Sequence, residues 1–316
     1  MAHHHHHEHA PSNYNRAFAI GVALNVGFVA VEATFGILAG SLALLTDAGH
    51  NLSDVLGLLL AWGAAYLVQR RPTRRRTYGW RKSSILAALF NAVILLVALG
   101  GIAWEAIRRF SHPAPVAGQT VIIVAAVGVV INTATALLFL SGRKHDLNIR
   151  GAFLHMAADA AVSVGVVAAG VAILLTGKTW IDPVVSLIIT AIILVGTWGL
   201  LRDSFNLAMD AVPEGIDPQA VKDYLAGLPG VTGVHDLHIW AMSTTETALT
   251  AHLVKPQAED DDALIEKISA ELHDRFSIEH TTLQWERGQE INCCGGLCEI
   301  SKTQKPELTH GEDYRH

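Results

Sequence analysis

Long apolar stretches fill the first two thirds of the 316-residue chain and constrain its fold more than any other feature. A helix that crosses a bilayer needs about 20 predominantly apolar residues. Six stretches fit this requirement, at residues 17–38, 42–68, 84–109, 117–141, 149–175 and 180–202. Short turns separate several of them, so consecutive helices are expected to be antiparallel neighbours. The sequence therefore predicts a polytopic α-helical membrane protein with six transmembrane helices in a compact bundle.

The composition agrees with a chain that resides in a lipid bilayer. Hydrophobic residues make up 51% of the chain and charged residues only 16%, whereas a soluble protein of this length needs more charge to cover its surface. The net charge of -6 averages an acidic C-terminal part and a segment rich in arginine. No signal-peptide cleavage pattern precedes the first apolar stretch, so that stretch is expected to be retained. Nucleic acid is not expected among the partners.

Basic residues in the loops predict the orientation of the bundle, because cytoplasmic loops carry an excess of Lys and Arg. The loop after the second stretch is the most basic part of the chain, and the loop after the fourth adds more: residues 70–76, Arg81, Lys82, Arg143, Lys144 and Arg150. Loops on the other side contain only Arg108, Arg109 and Lys178. Both termini are therefore expected in the cytoplasm.

After Arg202 the pattern changes to that of a small soluble domain. Helices are expected from Asp217-Pro218 to Leu228 and from the acidic stretch Glu259–Asp262 through Phe276, and strands over 231–242, 247–254 and 281–286. This αββαβ order is typical of a two-layer α+β sandwich. We divide the chain into a His-rich N-terminal tail (1–16), a six-helix transmembrane domain (17–205), a cytoplasmic domain (206–290) and a disordered tail with the cysteines (291–316).

Ionisable side chains inside apolar helices are the most informative residues, since each costs several kcal/mol without a partner. His50 and Asp54 lie four residues apart on one helical face, about 6 Å from each other. His155 and Asp159 repeat this pair in the fifth stretch. Together they supply two imidazoles and two carboxylates, a complete tetrahedral set for Zn²⁺, whereas Mg²⁺ calls for more oxygen ligands. One pair alone could be a packing device, but its duplication favours a metal site.

Other polar residues in the apolar stretches are less specific. Asp47 lies one turn from His50, and its role stays open between the exit path, a structural contact and ligation. Glu32 in the first stretch is expected to hydrogen-bond across helices. Lys82 and Asp210 are expected to pair where the two domains meet, as a domain interlock.

Both ends of the chain carry metal-binding residue types. Five histidines at residues 3–7, then Glu8 and His9, form either an expression tag or a native metal-attracting tail. The three cysteines, Cys293, Cys294 and Cys298, are an odd number packed into six residues. This is a poor disulfide framework and suits reduced thiols that could bind metal.

Four separated motifs relate the sequence to a known family. They are SLALLTDAGH at 41–50 with Asp54, YGWRK at 78–82, GAFLH at 151–155 with Asp159, and VHDLHIW at 234–240. With these motifs in the right order, the chain resembles the cation diffusion facilitators over nearly its whole length. It is most similar to the bacterial zinc and cobalt-zinc-cadmium exporters, and similar also to the vesicular zinc transporters.

The resemblance implies a homodimer with a ferredoxin-like or metallochaperone-like cytoplasmic domain, and exchange of metal for protons. It implies that His50, Asp54, His155 and Asp159 form the transport site. The expected function is zinc efflux by a Zn²⁺/H⁺ antiporter that works by alternating access, confers metal tolerance and is not an enzyme. His50 favours zinc because relatives with Asp at this position admit cadmium more readily. Cobalt, cadmium and nickel remain alternative substrates.

In some members of the family the cytoplasmic domain binds regulatory zinc. The matching positions here are His235, His252 and Glu286, although these could equally be exposed polar residues of strands. Gln284 stands where some relatives have His, so a two-metal cluster is not expected. A metal site that some relatives carry in the loop after the second helix is not expected either, because arginines fill that loop. The cysteine cluster could capture zinc together with His235 or His252.

Two readings from other classes remain open. An intramembrane metalloenzyme would need a catalytic motif, and the chain has no His-Glu-x-x-His helix. Four protein ligands would also leave no open position for an activated water. A membrane-anchored zinc sensor would use the cytoplasmic domain as receptor, and the paired polar residues inside the bundle argue against a mere anchor.

Overall fold

A computed structural model describes residues 13–68, 70–139, 147–257 and 262–287. The chain divides into two compact units, one ending at Phe205 and the other starting at Asn206. The His-rich N-terminal run and the three cysteines lie outside the described residues.

The first unit consists of six helices: α1 (Asn13–Ala39), α2 (Leu42–Val68), α3 (Ser83–Ser111), α4 (Gly118–Phe139), α5 (Leu147–Thr176) and α6 (Ile181–Ala208). Within the described residues, α3, α4, α5 and α6 are long and apolar enough to cross a membrane. Helices α1 and α2 have 27 residues each and fall outside that group. The helical membrane domain is thus confirmed, and the count of six spans stays a prediction.

Two glycines let backbones approach closely in this unit. Gly40 connects α1 to α2 with a left-handed φ of +66°, and a Cβ there would lie 2.6 Å from the Pro115 carbonyl oxygen. Gly170 of α5 faces α4, where a Cβ would lie 2.8 Å from Cγ1 of Ile122. Small residues at such contacts bring membrane helices within van der Waals reach of each other. The turn before α2 and the α4–α5 interface therefore each require a residue without a side chain.

The buried carboxylate of Asp182, in the first turn of α6, holds the start of α2. It accepts three hydrogen bonds there, from the Ser41 hydroxyl and from the N–H groups of Leu42 and Ala43. Arg109 at the end of α3 lies 3.7 Å from the same carboxylate and donates to the Gly40 carbonyl. Asp182 thus caps α2 from another helix, satisfying N–H groups that have no partner inside α2. No motif or spacing in the sequence marks Asp182 for this role.

The second unit contains α7 (Pro218–Ala226), β1 (Gly233–Ala241), β2 (Thr247–Val254), α8 (Asp262–Phe276) and β3 (His280–Glu286), which confirms the predicted αββαβ order. The sheet has the order β1-β2-β3, with β1 antiparallel and β3 parallel to β2. Asp217 caps α7 by accepting the Gln219 N–H. The helix ends two residues before the predicted Leu228, since Gly227 already forms the C-terminal cap.

The core of the second unit lies on one face of the sheet. Leu249, Ala251 and Leu253 of β2 pack there with apolar residues of both helices, including Leu225 of α7 and Leu272 of α8. Because side chains alternate along a strand, the residues between them, including His252, lie on the opposite face. That opposite face carries the polar cluster described below.

Prediction from the helix cap. Asp182→Ala should lower the free energy of unfolding of the detergent-solubilised protein by about 2 kcal/mol or more, because it leaves buried N–H groups of α2 without their acceptor and removes the carboxylate beside Arg109. Asp203→Ala is the matched control on the same helix, since the Asp203 side chain is 39% exposed and pairs with the exposed Arg202. Equal melting temperatures of the two variants in a fluorescence assay would contradict this role of Asp182.

Candidate metal centre

Helices α2 and α5 bring the four predicted transport-site residues together. His50 Nε2 lies 3.4 Å from Asp159 Oδ1, and His155 Nε2 lies 3.1 Å from Asp54 Oδ2. Within each helix the imidazole and the carboxylate are 3.7 Å apart. Each imidazole therefore contacts a carboxylate of both helices, and the two pairs form one site.

The spacing of these atoms suits a tetrahedral ion. Ligand atoms bound about 2.0–2.1 Å from a tetrahedral zinc lie about 3.3–3.4 Å from one another. The four imidazole–carboxylate distances of the site, 3.1 to 3.7 Å, lie on both sides of that value. His50, His155 and Asp159 can each offer one ligand atom within 4.8 Å of the others. Asp54 is not part of this group of three, so its carboxylate would have to move closer for all four side chains to bind one ion.

Burial decreases across the site from Asp159 toward His155. The side chain of Asp159 is 3% exposed, that of His50 19%, that of Asp54 30% and that of His155 43%. Asp159 Oδ2 and His50 Nδ1 are buried without a hydrogen-bond partner among the described residues. A buried carboxylate oxygen without a donor is costly, so a cation between the helices would compensate it.

A second group of polar residues lies one helical turn away from the four ligands. Asp47 is fully buried and accepts a hydrogen bond of 3.1 Å from the Ser163 hydroxyl of α5. Glu32 of α1 accepts a hydrogen bond of 3.2 Å from the Asn51 amide, which confirms the expected bond across helices. Ser163 follows Asp159 by four residues, as Asn51 follows Asp47, and this spacing is the signal that could have identified both.

The three predicted residues of the second unit also meet, on the open face of the sheet. His235 Nε2 and His252 Nδ1 each lie 2.9 Å from a different oxygen of Glu286. The strand register explains this, since His235 pairs with His252 across β1 and β2, and Val254, two residues on, pairs with Glu286 of β3. Burial raises the pKa of Glu286, but the hydrogen bonds and charges of the two histidines outweigh it and lower that pKa below its ordinary value.

Asp236 joins this cluster, although the sequence analysis did not select it. Its Oδ2 lies 3.6 Å from His252 Nε2, and its Oδ1 lies 3.0 Å from His238 Nε2. The backbone of Asp236 has a φ of +52°, at the point where the β1–β2 register shifts. A bulge of this kind turns a side chain toward a new neighbour.

The remaining predicted residues occupy separate parts of the chain. Lys82 precedes α3 in the first unit and Asp210 follows α6 in the second, so their pairing stays a prediction. In the arginine-rich loop after α2, the Arg76 guanidinium stacks 3.8 Å from the ring centroid of Trp80. The cysteines lie outside the described residues, so their part in metal capture stays a prediction.

Comparisons with known proteins identify the family. Residues 18–207 match the family profile described as the cation efflux transmembrane domain, and residues 213–288 match the cytoplasmic domain of cation efflux proteins. The zinc transporter ZitB of Escherichia coli is 38% identical over 304 residues, with 95% of this chain and 96% of that protein covered.

Two further similarities come from other bacteria. The cadmium, cobalt and zinc/H(+)-K(+) antiporter of Bacillus velezensis is 34% identical over 307 residues, covering 96% of this chain and 97% of the relative. The solved metal-bound C-terminal domain of the CzcD transporter from Cupriavidus metallidurans is 35% identical, with a TM-score of 0.21, and the match covers 22% of this chain and 99% of that domain. The chain belongs to the cation efflux family and is a multi-pass membrane transporter, not an enzyme.

Proposed function

We propose that the protein exports zinc, binding Zn²⁺ between α2 and α5 and exchanging it for protons. The observation that carries this proposal is the crosswise arrangement of two imidazoles and two carboxylates, each imidazole in reach of both carboxylates. This nitrogen and oxygen set, with tetrahedral spacing, suits zinc. The names of the relatives, a zinc transporter and an antiporter for cadmium, cobalt and zinc, support the same class of substrate.

Zinc is proposed ahead of cobalt, cadmium and nickel because of the imidazole at position 50. In this family an Asp at that position goes with readier admission of cadmium, whereas this chain has His50. Cobalt binds the same ligand types as zinc, so affinity alone separates the two poorly. Transport of the alternative metals by the same route is the second candidate.

Proton exchange follows from the chemistry of the ligands. A metal binds to neutral imidazole and ionised carboxylate, so protons and Zn²⁺ compete for His50, His155, Asp54 and Asp159. In the proposed cycle, zinc enters from the cytosol and displaces protons, and movement of the helices then opens the site to the outside. Protons on the outer side displace the metal from its ligands. The protonated, empty site then opens to the cytosol again.

The proposed setting is the bacterial inner membrane, with both termini and the second unit in the cytoplasm. The excess of basic residues in the loops after α2 and α4 supports this orientation. A homodimer is proposed as the working state. The His235–His252–Glu286 cluster is proposed to bind regulatory zinc, since it offers three ligand atoms within 4.8 Å of one another.

Prediction for the transport site. Asp54→Ala and Asp159→Ala should each reduce zinc-driven proton flux in sealed proteoliposomes to the level of protein-free vesicles, because each removes one of the four ligands and leaves each imidazole with a single carboxylate neighbour. Asp203→Ala, which removes an exposed carboxylate of α6 outside the site, should transport like the unmodified protein. Full transport by either site variant, with a normal elution profile, would refute the assignment.

Prediction for the cytoplasmic cluster. His252→Ala should weaken the stimulation of transport by low concentrations of cytoplasmic zinc, while flux at saturating zinc stays near that of the unmodified protein. The reason is that His252 lies in the second unit, outside the four proposed transport ligands. His280→Ala, which changes a histidine at the start of β3, is the control. An unchanged dependence of flux on zinc concentration in His252→Ala would argue against a regulatory site.

A further inference from the structure

Two fully buried carboxyl groups face each other next to the metal centre. Glu32 of α1 and Asp47 of α2 interact side chain to side chain, and neither has any exposed surface. One oxygen of each has a donor, since Asn51 donates to Glu32 Oε2 and Ser163 donates to Asp47 Oδ2. The other oxygens, Glu32 Oε1 and Asp47 Oδ1, have no donor among the described residues.

One proton shared by the two carboxyl groups would remove the repulsion between them. Two carboxylates in contact in a low-dielectric interior cannot both ionise without strong repulsion, so such pairs hold one proton between them. The shared proton supplies the donor that the two remaining oxygens lack. Without it the bundle would bury two negative charges whose only described donors are an amide and a hydroxyl.

The charged surroundings of the pair belong almost entirely to the metal centre. The charged groups of the metal centre that act on Asp47 are His50 of α2 and Asp159 of α5. Helix α4, which packs against α1, has no ionisable residue, and those of α3, which packs against α2, are Glu105, Arg108 and Arg109, beside the turn at Gly40. Asp47 precedes His50 by three residues on the same helical face, and Ser163, its donor, follows Asp159 by four. A divalent charge that arrives between the two helices therefore acts on this pair at short range.

We propose that the Glu32–Asp47 pair is a second proton-binding site, which releases its shared proton when the divalent metal occupies the neighbouring centre. The positive charge of the bound dication stabilises the doubly ionised state of the pair. The O–H bond of the shared proton then breaks, its electrons stay on the carboxylate oxygen and the proton leaves to water. The charge balance is one dication bound against this proton plus those displaced from the ligands. The inference rests on the proposed metal site. It adds to that site a proton-carrying carboxyl pair that does not bind the metal.

The test counts the protons released when Zn²⁺ binds to the purified full-length transporter in detergent. A pH indicator in weakly buffered solution reports the count at saturating zinc, and calorimetry reports the zinc affinity. Glu32→Gln keeps the shape and supplies an amide donor to Asp47, so no shared proton is needed. Asp47→Asn does the same from the other side. Each variant is expected to release about one proton fewer per protomer at saturating zinc than the unmodified protein.

The outcomes separate this proposal from the metal site itself. An unchanged proton count in a folded Glu32→Gln or Asp47→Asn variant that still binds zinc would overturn the proton role and leave the metal site intact. Failure of the unmodified protein to bind zinc would overturn the metal site instead. If neither variant folds, infrared difference spectra of the unmodified protein with and without zinc show whether the carboxyl pair loses its proton. Zinc must then abolish a protonated-carboxyl carbonyl band, and persistence of that band would refute release.

Discussion

The imidazole–carboxylate contacts between α2 and α5 determine how the rest of the bundle can be arranged. Ionisable groups in a membrane interior are tolerated only with partners, and here the partners lie on different helices: His50 with Asp159, and His155 with Asp54. Separation of α2 from α5 would leave carboxylates and imidazoles unpaired in an apolar medium. A dication between them would replace these contacts with bonds to the same four side chains, so metal binding and helix packing depend on one set of side chains.

Other polar contacts fix the helix that carries half of the site. Asp182 caps the first residues of α2, and Arg109 ties the end of α3 to the same point. Farther along α2, Asp47 reaches Ser163 of α5, and Asn51 reaches Glu32 of α1. The position of His50 and Asp54 is thus determined by contacts to four other helices. A movement that opens the site to one side of the membrane has to preserve or exchange these hydrogen bonds, because buried polar groups without partners are unfavourable.

Hydrophobic patterning predicted the helical membrane domain and the αββαβ unit because long apolar runs and alternating strands are local features. The two His–Asp pairs could be predicted for the same reason, since a spacing of four residues places both side chains on one helical face. Asp182 was not found, because its role depends on a contact with Ser41, 141 positions away in the chain. Asp236 was missed because it lies at a shift in strand register that no residue pattern marked. The pairing of Glu32 with Asp47 likewise depends on how α1 lies against α2. Contacts across elements are therefore what the sequence alone left undetermined.

The ligand set of bound zinc tests the central claim most directly. X-ray absorption spectroscopy at one equivalent of zinc should be recorded on a variant in which the histidines at residues 3–7 and 9, His235, His252 and the three cysteines are replaced, so that only the membrane site can bind. The account predicts a four-coordinate ion with two imidazole nitrogens and two carboxylate oxygens at about 2.0–2.2 Å. A six-coordinate shell of oxygens, or the same spectrum after Asp159→Ala, would contradict it.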